Sequence, residues 1–232
     1  MYCDYNIERY VKNKYFDYLK AFAPEKRAAE KFRLKTEALE LEIKKTDEIV
    51  GWFKFIKEYY PDKAFAEEEY DAETQRLNSL VEWLNCTVRV DRGHTLLNYG
   101  DILNHGLVWY ENKIDAELEK APDNAYLAAM KGTLAAVKSL TERVIGYISE
   151  NKDEYGAEKA ECFTEMLKKV PFYPAESFRE AVQAVWIIHF LTPLAENAWY
   201  SISLGKFDEY MYPFYKASLE KGMTRDEAKK IL

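Results

Sequence analysis

Cysteine is scarce in this 232-residue chain. Cys3, Cys86 and Cys162 make an odd number, and no Cys-x-x-Cys pair occurs. That argues against a disulfide framework and against a structural zinc site. Histidine is equally rare. No two of His94, His105 and His189 stand at a metal-ligand spacing. Asp101 and His105 are four apart, but in a glycine-punctuated stretch, so a metal centre has little support. No apolar run is long enough to span a bilayer. The longest, near AVQAVWIIHFLTPLA, is interrupted by Gln183, His189 and Pro193. The opening MYCDYNIERY is polar and has no apolar signal-peptide core. The net charge is −7, with basic residues scattered among acids, which excludes the basic footprint of a nucleic-acid binder. GxSxG, GxGxxG and GxxxxGK[ST] are all missing, so hydrolase and nucleotide-binding signatures are absent.

What remains is ample material for a folded helical core. Hydrophobic residues are 48% of the chain, which sets it apart from disordered sequences, and 18 tyrosines suit half-buried helix faces. Glycine and proline number only 9 and 7. The chain reads as mainly α, one domain or one and a half, with no repeat and no low-complexity linker.

Residues to about Leu41 are charged and amphipathic, with Pro24 and Glu25 opening a second helix. The dense apolar run Ile49, Val50, Trp52, Phe53 and Phe55 around Gly51 predicts a strand or extended piece. Helical spacing returns over 67–86. The stretch punctuated by Gly93, Gly100 and Gly106 is the least regular. One helix then ends at Pro122. Another is expected from about Asn124 to Asn151, with Leu127, Met130, Leu134, Val137, Leu140, Val144 and Ile148 on one face. Ser177 and Glu180 predict a capping box before an apolar, buried helix. SISLGKFDEYMYPFY reads as a short extended piece with a turn at Gly205. Thr224 and Glu227 form a second capping box. The helix it opens reaches only to Leu232, so the chain is expected to stop within an element.

The last third carries a resemblance. Pro174, Ala175, Phe178, Glu180, Ala181, Gln183 and Trp186 fall in one fixed pattern. Gly205, Phe207, Asp208, Tyr210, Tyr212, Pro213 and Tyr215 follow, then Gly222, Thr224, Glu227 and Ala228. This order resembles the amino-terminal half of the pyruvate formate-lyase-like glycyl radical enzymes. Weaker likenesses in DEIVGWF and GHTLLNYGDILNHGL extend it over roughly residues 30–232, strongest over 172–232. Lys206 stands where the family has arginine, and Leu97 and Asn98 where Pro-Asp is common.

The resemblance implies that residues 1–232 form part of the helical shell around a ten-stranded α/β barrel, with one or two short extended segments. It implies radical lyase or dehydratase chemistry in the complete enzyme, in anaerobic cytoplasm, after an S-adenosylmethionine-dependent activating enzyme installs the radical. The family's catalytic Gly-Cys-x-Glu segment is not found in the chain. Arg143-Val144-Ile145-Gly146-Tyr147 resembles the signature around the radical glycine, but it falls inside the long predicted helix and reads as coincidence. No catalytic, cofactor-binding or metal-binding residue is therefore assigned. His94, in the Gly-His segment, is the one substrate-pocket candidate, and His189 is read as a hydrogen-bonded core residue. The expected partners are the remainder of such an enzyme or a second subunit, with self-association through exposed apolar surface, and neither nucleic acid nor membrane. The competing reading is a stand-alone helical interaction protein that kept the shell without the catalysis.

Overall fold

The computed structural model describes residues 6–54, 76, 95–196 and 202–232. Helices dominate. Helix α1 (Asn6–Lys20) bends at Tyr15 and lies against α2 (Pro24–Ala38). Pro24 opens α2, where its missing amide costs no hydrogen bond. Strands β1 (Glu40–Glu42) and β2 (Trp52–Lys54) pair antiparallel, with Leu41 opposite Phe53. They are the extended piece that the apolar run around Gly51 predicts. The helix expected over 67–86 and the candidate His94 lie outside the described residues.

Helix α3 (Tyr99–His105) lies within the glycine-punctuated stretch, where no helical period is visible in the residues. Asn98 starts it by accepting the Asp101 amide at 3.2 Å. Helix α4 (Leu107–Lys120) follows after Gly106. Helix α5 (Ala125–Glu150) runs 26 residues between Asn124 and Asn151, the bounds its pattern predicts. The Asn124 side chain caps its start, accepting from the Tyr126 and Leu127 amides. Val137, Leu140, Val144 and Ile148 of the expected face are buried, but Met130 is exposed. α5 packs on α2, on α4 and on α7 (Ala157–Lys169), which follows the short α6 (Lys152–Tyr155).

Helix α8 (Phe178–Glu196) is the centre of the core, and most of its residues are buried as expected. Its predicted capping box forms only by half. Ser177 Oγ accepts the Glu180 amide at 3.2 Å, but Glu180 takes the Glu176 amide and an ion pair with Lys169. Toward the other end, the buried Lys35 ammonium of α2 donates to the Leu194 carbonyl at 2.9 Å, a cation at the negative pole of a helix. The extended piece expected in SISLGKFDEYMYPFY is present at Ser203, which bridges Leu96, but the residues after the turn form helix α9 (Phe207–Glu220). The turn at Gly205 is present, but the chain is helical from Phe207 on, through Pro213. Packing offsets the amide that proline lacks. Met211 is buried, and Tyr215 meets Phe178 edge-on at 5.4 Å. Helix α10 (Arg225–Ile231) starts at the full Thr224–Glu227 capping box. No helix among the described residues is long and apolar enough to cross a membrane.

Candidate functional site

Helix α8 presents Arg179, Gln183, Trp186 and Phe190 at steps of four, three and four, which place them on one face. That face grips the segment leading into β2. Arg179 Nη1 donates to the Glu48 carbonyl at 2.6 Å and to its carboxylate at 2.9 Å. Gln183 accepts the Val50 amide and donates to the Val50 carbonyl, both at 2.6 Å. Trp186 Nε1 donates to the Gly51 carbonyl at 3.1 Å. The Phe190 and Phe53 rings lie 4.9 Å apart. Three side chains of the helix thus satisfy backbone groups of an extended segment that has no strand partner on that side among the described residues. Gln183 is fully buried, so its pairing is obligatory. Gly51 has φ 136°, and a Cβ there would lie 2.7 Å from the Trp186 indole, so only glycine allows the ring to close on the backbone.

Beside this clasp lies a cavity of about 580 Å³. Its walls are mainly apolar: Val182, Val185 and Phe190 of α8, Ile202 and Phe207 beyond it, and Ile231 of α10. His189, Lys230, Asp47 and Glu48 are its ionisable groups. His189 Nδ1 is held by the Tyr99 hydroxyl at 2.8 Å, as its reading as a hydrogen-bonded residue requires. It also forms part of the cavity wall, a role that sequence reasoning missed. Nothing in the periodicity of α8 marks it, because its partner is 90 residues away. Burial lowers the His189 pKa below the ordinary histidine value and raises that of Tyr99, so both are neutral near pH 7. Tyr210, whose ring lies 5.7 Å from that of Tyr99, donates to the Leu204 carbonyl at 2.8 Å, and burial pushes its pKa up to about 12.

The residues of the resemblance have mainly architectural roles. The Phe178 amide donates to Ser218 Oγ at 2.9 Å, which ties α8 to α9. Lys206 makes an exposed ion pair with Glu209, one turn on. Arg143 uses both terminal nitrogens to cap α2, donating to the Thr36, Glu37 and Leu39 carbonyls at 2.6–3.0 Å. Val144 is core, and Gly146 lies in the interior of α5, where a Cβ would meet nothing within 4 Å beyond its own helix among the described residues. His105 stacks on Trp109 at 5.1 Å. Among the described residues, no group of three or more His, Cys, Asp or Glu could hold a metal ion.

Comparison with known proteins agrees with this architecture. The family described as pyruvate formate lyase-like matches residues 12–232. A trans-4-hydroxy-L-proline dehydratase of Clostridioides difficile is 27% identical over 122 residues, covering 52% of this chain and 16% of its own length. The glycyl radical subunit of a 4-hydroxyphenylacetate decarboxylase from Clostridioides difficile strain 630 is 22% identical over 223 residues, 88% of this chain and 24% of that subunit. The fold is shared with a glycyl radical enzyme from Archaeoglobus fulgidus, with a TM-score of 0.74 at 21% identity over 97% of this chain and 37% of that one. The chain thus spans a quarter or less of these two curated relatives. Through a match that takes in both the α8 clasp and the 205–228 pattern, it belongs to the pyruvate formate lyase-like family of glycyl radical enzymes.

Proposed function

We propose that these 232 residues supply the amino-terminal helical shell of a glycyl radical enzyme of the lyase or dehydratase class. A polypeptide carrying a Gly-Cys-x-Glu segment and a radical glycine completes it, either as the remainder of the same enzyme or as a second subunit. The 232 residues by themselves do not perform the chemistry. The observation that carries this reading is the placement of Arg143–Tyr147. The one stretch that resembles a radical-glycine signature lies within the last two turns of α5, where Arg143 caps α2 and Val144 fills the core. A glycine that must be reached by an activating enzyme needs a loop that can leave its site, and α5 offers none at Gly146. Support for the reaction class comes from the dehydratase and the decarboxylase subunit among the relatives.

The test is anaerobic activation with S-adenosylmethionine and an activating enzyme of the family. The chain alone should give no glycyl radical spectrum. Addition of the complementing polypeptide should give the radical on that partner, with the two proteins co-purifying. A radical on the chain alone, followed by cleavage at Gly146 in oxygen, would refute the proposal.

A further inference from the structure

His189 is the one ionisable side chain set among the apolar cavity walls of α8 that has a free hydrogen-bonding atom. Its Nδ1 is taken by Tyr99, and no partner contacts Nε2 among the described residues. Tyr99 is almost wholly buried, 1% exposed, and does not line the cavity. With Nδ1 held by a residue outside the cavity, Nε2 is the ring nitrogen left to serve it. When the Tyr99 phenol is the donor to Nδ1, the proton of the neutral ring lies on Nε2. Burial keeps Tyr99 protonated and His189 neutral, the state this pairing needs near pH 7.

The charges of the cavity nearly cancel. Glu48 is paired with Arg179, Asp47 accepts the Lys44 amide, and Lys230 is exposed on the last helix. Nothing there would hold a strongly charged ligand at depth. Val185 and Phe190 line the same cavity, and the volume of about 580 Å³ is that of a small-molecule site.

We propose that this cavity binds a neutral, largely apolar small molecule that presents one hydrogen-bond acceptor, a carbonyl or ether oxygen, to Nε2–H of His189. Tyr99 is the positioning residue that fixes the tautomer. The site needs no radical chemistry, and its test needs no second polypeptide.

Nile red, a neutral dye with a carbonyl acceptor, is the probe, titrated into the intact chain by fluorescence. Saturable binding of one dye per chain is expected. His189→Phe keeps the ring volume and removes the donor, and should weaken binding roughly three- to tenfold, the worth of one hydrogen bond. His189→Gln restores an N–H at the Nε2 position and should stay within about twofold of the parent. Non-saturating binding, or equal affinity in His189→Phe, overturns the proposal. Imidazole nitrogen spectra of the unaltered chain give a reading that no variant can disturb. The proposal requires the Nε2–H tautomer before dye is added and a displaced Nε2–H signal at saturation. An Nδ1–H tautomer, or an unmoved signal, overturns it.

Discussion

Gln183 and Val50 are 133 residues apart in sequence, yet they exchange two hydrogen bonds of 2.6 Å. The side-chain amide takes the place of a neighbouring strand, pairing with both backbone groups of one residue. The same helix face adds Arg179 and Trp186 to either side, so the segment 48–51 is fixed to α8 at three successive points. Replacement of Gln183 by methionine keeps the volume and removes both bonds. The Val50 amide and carbonyl then remain buried without partners. The expected loss is about 2–6 kcal/mol of unfolding free energy, since each of the two orphaned groups costs about 1–3 kcal/mol. Urea unfolding measures it, and an unchanged midpoint would contradict the clasp.

Arg143 makes a second long-range contact of the same kind, from α5 to the end of α2. Arg143→Ala should cost about 1–3 kcal/mol, because three terminal carbonyls lose charge-assisted bonds. Arg143→Lys should recover only part of this, since an ammonium cannot reproduce the planar fork. Amide exchange locates the effect: protection in the last turn of α2 should fall more than protection in α7. Equal loss in both helices would show that Arg143 acts only through global stability.

These two contacts show what was legible in the sequence and what was not. The bounds of α5 at Asn124 and Asn151, Pro24 at the start of α2 and the Thr224–Glu227 box are local signals, and each is present. Gln183 and Trp186 were visible as members of a pattern, but their partners were not, because a side chain reaching a backbone group over 130 residues away leaves no periodic trace. The α9 helix was missed because Gly205 and Pro213 punctuate its neighbourhood, while packing against Phe178 and Tyr99 decides the outcome. Tyr99 was hidden in a glycine-punctuated stretch, so the cavity wall it organises through His189 could not be read. His94, the pocket candidate, lies outside the described residues.

The Tyr99–His189 pair gives a pH signature. Burial lowers the folded pKa of His189 below its model-compound value of 6.5. In the interval between the two values, the unfolded chain binds a proton that the folded chain does not. Stability therefore rises with pH across that interval: it is in full force above about 6.5 and is lost as the pH falls toward the folded value. Unfolding free energies measured from pH 8 to pH 5 should decline in the parent and decline less in His189→Gln. The difference between the two curves isolates this residue from the other histidines. Identical curves would show that His189 titrates alike in both states.

Gly51 and Gly146 should respond in opposite directions to the same added methyl group. At Gly51, φ is 136° and the new Cβ would meet the Trp186 indole at 2.7 Å, inside a clasp that is already hydrogen-bonded. Gly51→Ala must either strain the backbone or push Trp186 off the Gly51 carbonyl. A loss of about 1–3 kcal/mol is expected from the strained backbone alone. Gly146 has helical neighbours on both sides, and among the described residues a Cβ would meet nothing within 4 Å beyond its own helix, so the methyl meets no clash there. There the substitution only reduces the freedom of the unfolded chain and restores helix propensity. Gly146→Ala should raise stability by roughly 0.5–1 kcal/mol. Thermal and urea unfolding of both variants give the two signs directly. A destabilised Gly146→Ala would mean that the position is not an ordinary helix interior. The radical reading of Arg143–Tyr147 would regain force if that variant also lost a radical signal seen in the parent after anaerobic activation.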